Sequence, residues 1–159
     1  MTNPTKTTPK ELTLTRTFEA PRALVFKAWT DPAQVAHWWG PAGWTNPVCE
    51  IDARPGGAIR IVMHGPDPWG DNPMTGTFED VMPPQRLVFT TRAIPDAQDR
   101  PQLETRNTVD FEELDGRTTI RVHIVVLRST PEAAASLEGM EPGWNQQLDR
   151  LRDHLEESR

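Results

Sequence analysis

The chain of 159 residues has no tyrosine, one cysteine and no long apolar run. The single Cys49 excludes an internal disulfide and a cysteine-rich metal centre. It reads as a free thiol, a small and mostly buried apolar residue on the strand side shared with Ile51 and Ala53. No apolar stretch approaches the roughly 20 residues of a membrane-spanning helix. The opening MTNPTKTTPKE is polar and carries no apolar leader core. A cytoplasmic protein is therefore expected, with residues 1–10 as a disordered tail and residues 11–159 as one domain. Net charge is −6 and no cluster of Lys or Arg stands out, which argues against nucleic acid as the main partner. His37, His64, His123 and His154 are scattered without metal-ligand spacing. The serines, Ser129, Ser136 and Ser158, sit in no G-x-S-x-G motif. The stretch RPGG lacks the Lys and Ser/Thr of a phosphate loop. Neither a metal nor a cofactor is implied, and no catalytic residue can be named.

Proline, at 16 residues, and tryptophan, at six, are plentiful. Many prolines mean many turns, which suits an antiparallel sheet with separate helices. ELTLTRTFEA alternates with period two and predicts a first strand. In APRALVFKAWT, Pro21 takes a first helical position, and Leu24, Val25, Ala28 and Trp29 form an apolar stripe. TDPAQVAHWWG repeats the device, with Asp31 as N-cap, Pro32 at the first position and Gly40 as terminator. From Pro47 to Val126 strands follow one another, interrupted by RPGG, GPDPWGDNP, MPPQR, a polar connection over 93–102 and a DG hairpin turn at 115–116. The C-terminal part returns to helix, with Thr130 as N-cap. Met140, Trp144, Leu148, Leu151 and Leu155 then form a stripe opposite a solvated face of Gln, Asp, Arg and Glu. About seven strands joined by short links make an antiparallel sheet, and a two-layer α+β domain results.

The order β-α-α-β6-α resembles the helix-grip fold of the START, birch-allergen-like and polyketide cyclase superfamily (SRPBCC). FEAPRALVFKAWTDPAQVAHWWGP, IDARPGG, MHGPD, GTFEDVMPPQRLVFT and GWNQQLDRLRDHL are similar to the group named after the activator of the heat-shock protein 90 ATPase. The resemblance implies a curved antiparallel sheet of about seven strands wrapped around a long C-terminal helix, with two short helices after strand 1. It also implies that Trp38 and Trp39 close the mouth of a cavity between sheet and helix. It offers three roles: binding a small hydrophobic molecule, a cyclase, dehydratase or hydrolase activity on such a molecule, or activation of a chaperone ATPase. A chaperone or a second copy of the chain then joins the small molecule as an expected partner.

The stretch HWWGPAGW raises the central question, because it puts three tryptophans beside turn-forming Gly40, Pro41 and Gly43. Bulky aromatic surface on a turn must either fold onto the core or wall a pocket. Strand parity places Ile59, Ile61 and Met63 on one face, then Gly76 with Phe78, Leu87 with Phe89 and Thr91, and Asn107 with Val109 and Phe111. The candidate ligand-binding set is therefore Trp38, Trp39, Trp44, Ile61, Met63, Trp69, Phe78, Phe89, Asn107, Phe111, Trp144 and Leu148. Asp80, Asn107 and Thr91 are the inward polar candidates, with Asp80, where its strand runs into MPP, read more simply as the cap of a turn. Asp52 and Arg54 form an expected surface ion pair.

Overall fold

The computed structural model describes residues 11–157. The expected disordered tail over residues 1–10 lies outside the described residues. Seven strands form one antiparallel sheet: β1 (Glu11–Phe18), β2 (Thr45–Ile51), β3 (Ala58–Gly65), β4 (Gly70–Met82), β5 (Arg86–Pro95), β6 (Pro101–Leu114) and β7 (Arg117–Ser129). Their order across the sheet is β1-β7-β6-β5-β4-β3-β2. The first two strands thus lie at opposite edges, and α1 (Arg22–Thr30) and α2 (Pro32–Trp38) carry the chain between them. A 3-10 turn (Pro131–Ala133) and a short α3 (Ala134–Glu138) lead into the long α4 (Met140–Glu157). Among the described residues no helix is long and apolar enough to cross a membrane.

The sheet follows the alternation of the sequence. Ile59, Ile61, Leu87, Phe89, Val109, Phe111, Ile120, Val122 and Ile124 are buried on the face that receives Leu148, Leu151 and Leu155 of α4. Register shifts put extra residues into β2, between Thr45 and Val48, into β4, between Phe78 and Asp80, and into β7, at Leu127 opposite Glu104 and Thr105. Bulges bend a strand and increase its twist, which curves the sheet around the helix. The β6–β7 hairpin closes on Asp115 and Gly116, both with positive φ, as the DG signal implied. Gly57 admits no side chain, because a Cβ there would sit 1.8 Å from the Asp52 carbonyl oxygen.

Several local expectations need correction. Leu24 is exposed, whereas Phe26 is buried edge-on against Phe111 with ring centres 5.2 Å apart. At 100° per residue these two lie on opposite flanks of the face formed by Val25, Ala28 and Trp29, and only Phe26's flank meets β6. Pro21 is the N-cap of α1 rather than its first residue. Asp31 caps α2 as expected, its carboxylate accepting from Ala33 N–H at 3.1 Å. Thr130 stands at the N-cap of the 3-10 turn as expected, but its hydroxyl donates to Gln102 Oε1 instead of capping the turn. The connection between β5 and β6 is shorter than the expected 93–102, because pairing runs out to Pro95 and Pro101. Helix α4 begins at Met140. Asp80 does not point inward: the bulge after Phe78 shifts parity, so that Val81 packs on the core and Asp80 lies near Arg86.

Candidate functional site: an aromatic-walled pocket at the start of α4

Trp38 and Trp39 end one short helix, but they do different things. Trp38 is 0% exposed, its indole N–H donates to the Ala28 carbonyl at 3.0 Å, and its ring meets Trp29 edge-on at 4.8 Å. It is a core residue and does not close a mouth, because it is buried between α1 and its other core neighbours. Trp39 is 7% exposed, its ring centre 5.7 Å from that of Trp38 on one side and 5.7 Å from that of Trp144 of α4 on the other.

The wall that carries Trp39 is tied down from the helix. Arg150 donates to four carbonyls in succession: His37 at 3.0 Å, Trp39 at 2.8 Å, Gly40 at 2.9 Å and Pro41 at 3.0 Å. The amide oxygen of Gln147 accepts from Gly40 N–H at 2.6 Å, and Gln146 accepts from Ala42 N–H at 3.1 Å. Asn46 adds donations to the Ala36 and Trp39 carbonyls at 3.0 and 2.9 Å. Partial burial lowers the Arg150 pKa from its usual value. Gly40 holds φ +92, a left-handed backbone that suits glycine, with Met63 Sδ 3.6 Å from where a Cβ would lie. The turn is therefore a fixed wall. The sequence signal for it was thin, because Gln147 and Arg150 sat on a face that read as solvated.

Two spaces flank Trp39. The inner one, about 20 Å³, is enclosed by Trp29, Val35, Trp38, Ile61, Phe78 and Phe89 among others. It has room for about one water molecule. The buried Trp29 indole N–H has no acceptor among the described residues. The outer one, about 190 Å³, opens between the start of α4 and the sheet. Its apolar walls are Trp39, Met63, Met74, Leu103, Met140 and Trp144. Its polar lining is Thr91, Thr105 and Asn107 from neighbouring strands, with Gln147 and Ser136 from the helical side. Thr91 and Thr105 share a hydroxyl–hydroxyl hydrogen bond of 2.5 Å. Asn107, 2% exposed, donates to the Phe89 carbonyl at 3.2 Å and to Thr105 Oγ1 at 3.1 Å. No acidic, basic or imidazole side chain lines this pocket.

The twelve candidate residues thus separate. Trp39, Met63, Asn107 and Trp144 line the outer pocket. Trp38, Ile61, Phe78 and Phe89 border the inner void together with Trp39. Phe111 and Leu148 are fully packed in the core. Trp44 and Trp69 pair with each other, ring centres 6.3 Å apart, at the β3–β4 turn; Trp69 is 63% exposed and Trp44 covers Gly65. Thr105, Met74, Met140 and Gln147 join the pocket without having been expected there. Parity could have found Met74, which shares a face with Gly76 and Phe78.

A wider depression of about 420 Å³ lies beside Pro73, Thr75, Arg92 and Asp99. Most of the residues bordering it are themselves exposed, so it buries little of any guest. Asp52 and Arg54 make an exposed ion pair at 2.7 Å. His37 and His154 stack with centres 5.8 Å apart, and burial, then the neighbouring His37, lowers the His154 pKa. Cys49 is half-buried rather than mostly buried; burial, then Asp31 and Glu50, push its thiol up to about 11. Among the described residues no group of three or more His, Cys, Asp or Glu side chains is placed to hold a metal ion.

Comparison with known proteins places this geometry. The sequence profile of the family described as "Activator of Hsp90 ATPase homolog 1-like protein" matches residues 19–156. No curated protein matches the chain. Solved structures do. A protein from Nitrosomonas europaea superposes with TM-score 0.76 at 25% identity, over 94% of this chain and 96% of its own. One from Arthrobacter aurescens gives 0.81 at 25% identity, over 93% and 87%. The AHSA1 protein from Silicibacter pomeroyi gives 0.75 at 26% identity, over 94% and 99%.

Proposed function

The chain belongs to the family of Activator of Hsp90 ATPase homolog 1-like proteins, and from that premise we propose that it binds a small, largely apolar molecule in the pocket between the start of α4 and the sheet. One contrast carries the reading. The space on the inner side of Trp39 is only about 20 Å³, while about 190 Å³ is left open on its other side, beside Trp144. Leaving Trp144, Met63 and Met140 only partly buried around an open space gives up burial that packing would supply, at about 25 cal/mol per Å² of apolar surface. A guest recovers it. An engineered cavity of about 150 Å³ holds benzene, so this pocket suits one ring with a small substituent.

Binding is favoured over catalysis because general acid or base work needs a titratable side chain at the reacting atoms, and none lines the pocket. For activation of a chaperone ATPase, the support is the family's description. The test is an NMR titration with ethylbenzene and acetophenone. The indole N–H signals of Trp39 and Trp144 should shift saturably while that of Trp69 stays in place. Shifts without saturation, or equal shifts at Trp69, refute the site.

A further inference from the structure

We propose that the guest is an uncharged compound whose apolar body carries one carbonyl or hydroxyl oxygen, and that the carboxamide nitrogen of Gln147 and the Thr91 hydroxyl hold that oxygen. This rests on the binding role of the same pocket. Gln147 is 6% exposed, and its orientation is determined chemically. Gly40 N–H is a donor, so the atom it meets at 2.6 Å is the amide oxygen. The two amide N–H groups are then left on the other side, without an acceptor among the described residues, in a residue that lines the pocket. That nitrogen is open to solvent on the pocket side, so an apolar guest that displaces the water would leave the donor unpaired, whereas an acceptor oxygen on the guest would replace the water's hydrogen bond.

The sheet's polar lining is adaptable. Both N–H groups of Asn107 are used, on the Phe89 carbonyl and on Thr105 Oγ1. Between Thr91 and Thr105 either hydroxyl can donate. If Thr105 donates to Thr91, the Thr91 proton is free for a carbonyl. If Thr91 donates to Thr105, its oxygen is free for a hydroxyl proton. A guest oxygen therefore always receives from Gln147 and either receives from or gives to Thr91.

A carboxylate or phosphate does not fit. No cation lines the pocket, and the Arg150 guanidinium beside Gly40 is already spread over four carbonyls. An anion would lose its hydration without a counter-charge.

The probes are acetophenone, ethylbenzene and benzoate, which share a ring and differ in the polar group. Affinities are measured by NMR titration of the full chain. Acetophenone should bind about tenfold more tightly than ethylbenzene, the scale of one well-made hydrogen bond, and benzoate more weakly than either. Thr91→Val and Gln147→Glu each keep much of the side-chain shape, and the Glu retains an oxygen for Gly40 N–H. At pH 7 each should erase most of the advantage of acetophenone over ethylbenzene, read as the ratio of the two affinities in the same variant. Thermal melts confirm that both variants are folded, and Thr91→Val alone suffices if Gln147→Glu is not. Equal affinity for acetophenone and ethylbenzene, or tighter binding of benzoate, overturns the proposal while leaving the pocket as a binding site. Binding of none of the three overturns both.

Discussion

Replacing Arg150 by Met keeps most of the aliphatic stem and removes the guanidinium that ties the Trp39 wall to α4. Four carbonyls lose a donor, but unequally. The His37 carbonyl belongs to an exposed residue and regains water, and Pro41 is half-buried. Trp39 keeps its second donor, Asn46 at 2.9 Å. Gly40 is buried, and its oxygen is left without that partner. A buried acceptor deprived of its donor costs about 1–3 kcal/mol, and the loss of charge-assisted bonds at the other three adds to that. The expected destabilisation is about 2–4 kcal/mol, read as a lower urea midpoint with an unchanged slope. Amide exchange should rise first at Gly40 and Ala42, before the sheet opens. A change below about 0.5 kcal/mol, the range of an ordinary surface substitution, would refute the claim that this arginine holds the wall.

Tryptophan truncations should rank by position. Trp38→Ala should cost about 3–5 kcal/mol as a packed core residue, Trp144→Ala clearly less because it faces open space, and Trp69→Ala about 0.5 kcal/mol or less; equal midpoints for Trp38→Ala and Trp144→Ala would deny the open pocket. A thiol pushed up to about 11 is about a hundredfold less ionised at pH 8 than one near its ordinary value, so Cys49 should alkylate that much more slowly in the native than in the urea-unfolded chain. The unfolded thiol ionises first as pH rises, so the native state should lose stability between pH 9 and about 11 relative to Cys49→Ala. A parallel pH dependence in the two proteins would contradict the shift.

What the sequence disclosed was what neighbours in the chain decide. The DG turn at 115–116, the Asp31–Pro32 helix start and the alternation through Ile59, Ile61 and Met63 all have local causes, and the sheet and its enclosed helix followed from them. Contacts between distant residues were hidden. Gln147 and Arg150 carry the wall across more than a hundred positions of sequence separation, as with Gln147 to Gly40 at 107, and a helical-wheel reading assigns both to solvent. One inserted residue in β4 turned Asp80 outward, and parity has no means of locating a bulge. Trp38 and Trp39, adjacent in sequence and in ring contact at 5.7 Å, differ in that only Trp39 also borders the outer pocket.

The central claim is that the open space beside α4 is a binding site for an uncharged ring compound. Intermolecular nuclear Overhauser effects from bound acetophenone test it most directly. Contacts are expected with the methyl groups of Met63 and Met140 and with the indole of Trp144, and none with Trp38 or Trp69. Contacts confined to Trp44 and Trp69 at the β3–β4 turn, or none at saturating ligand, would contradict it.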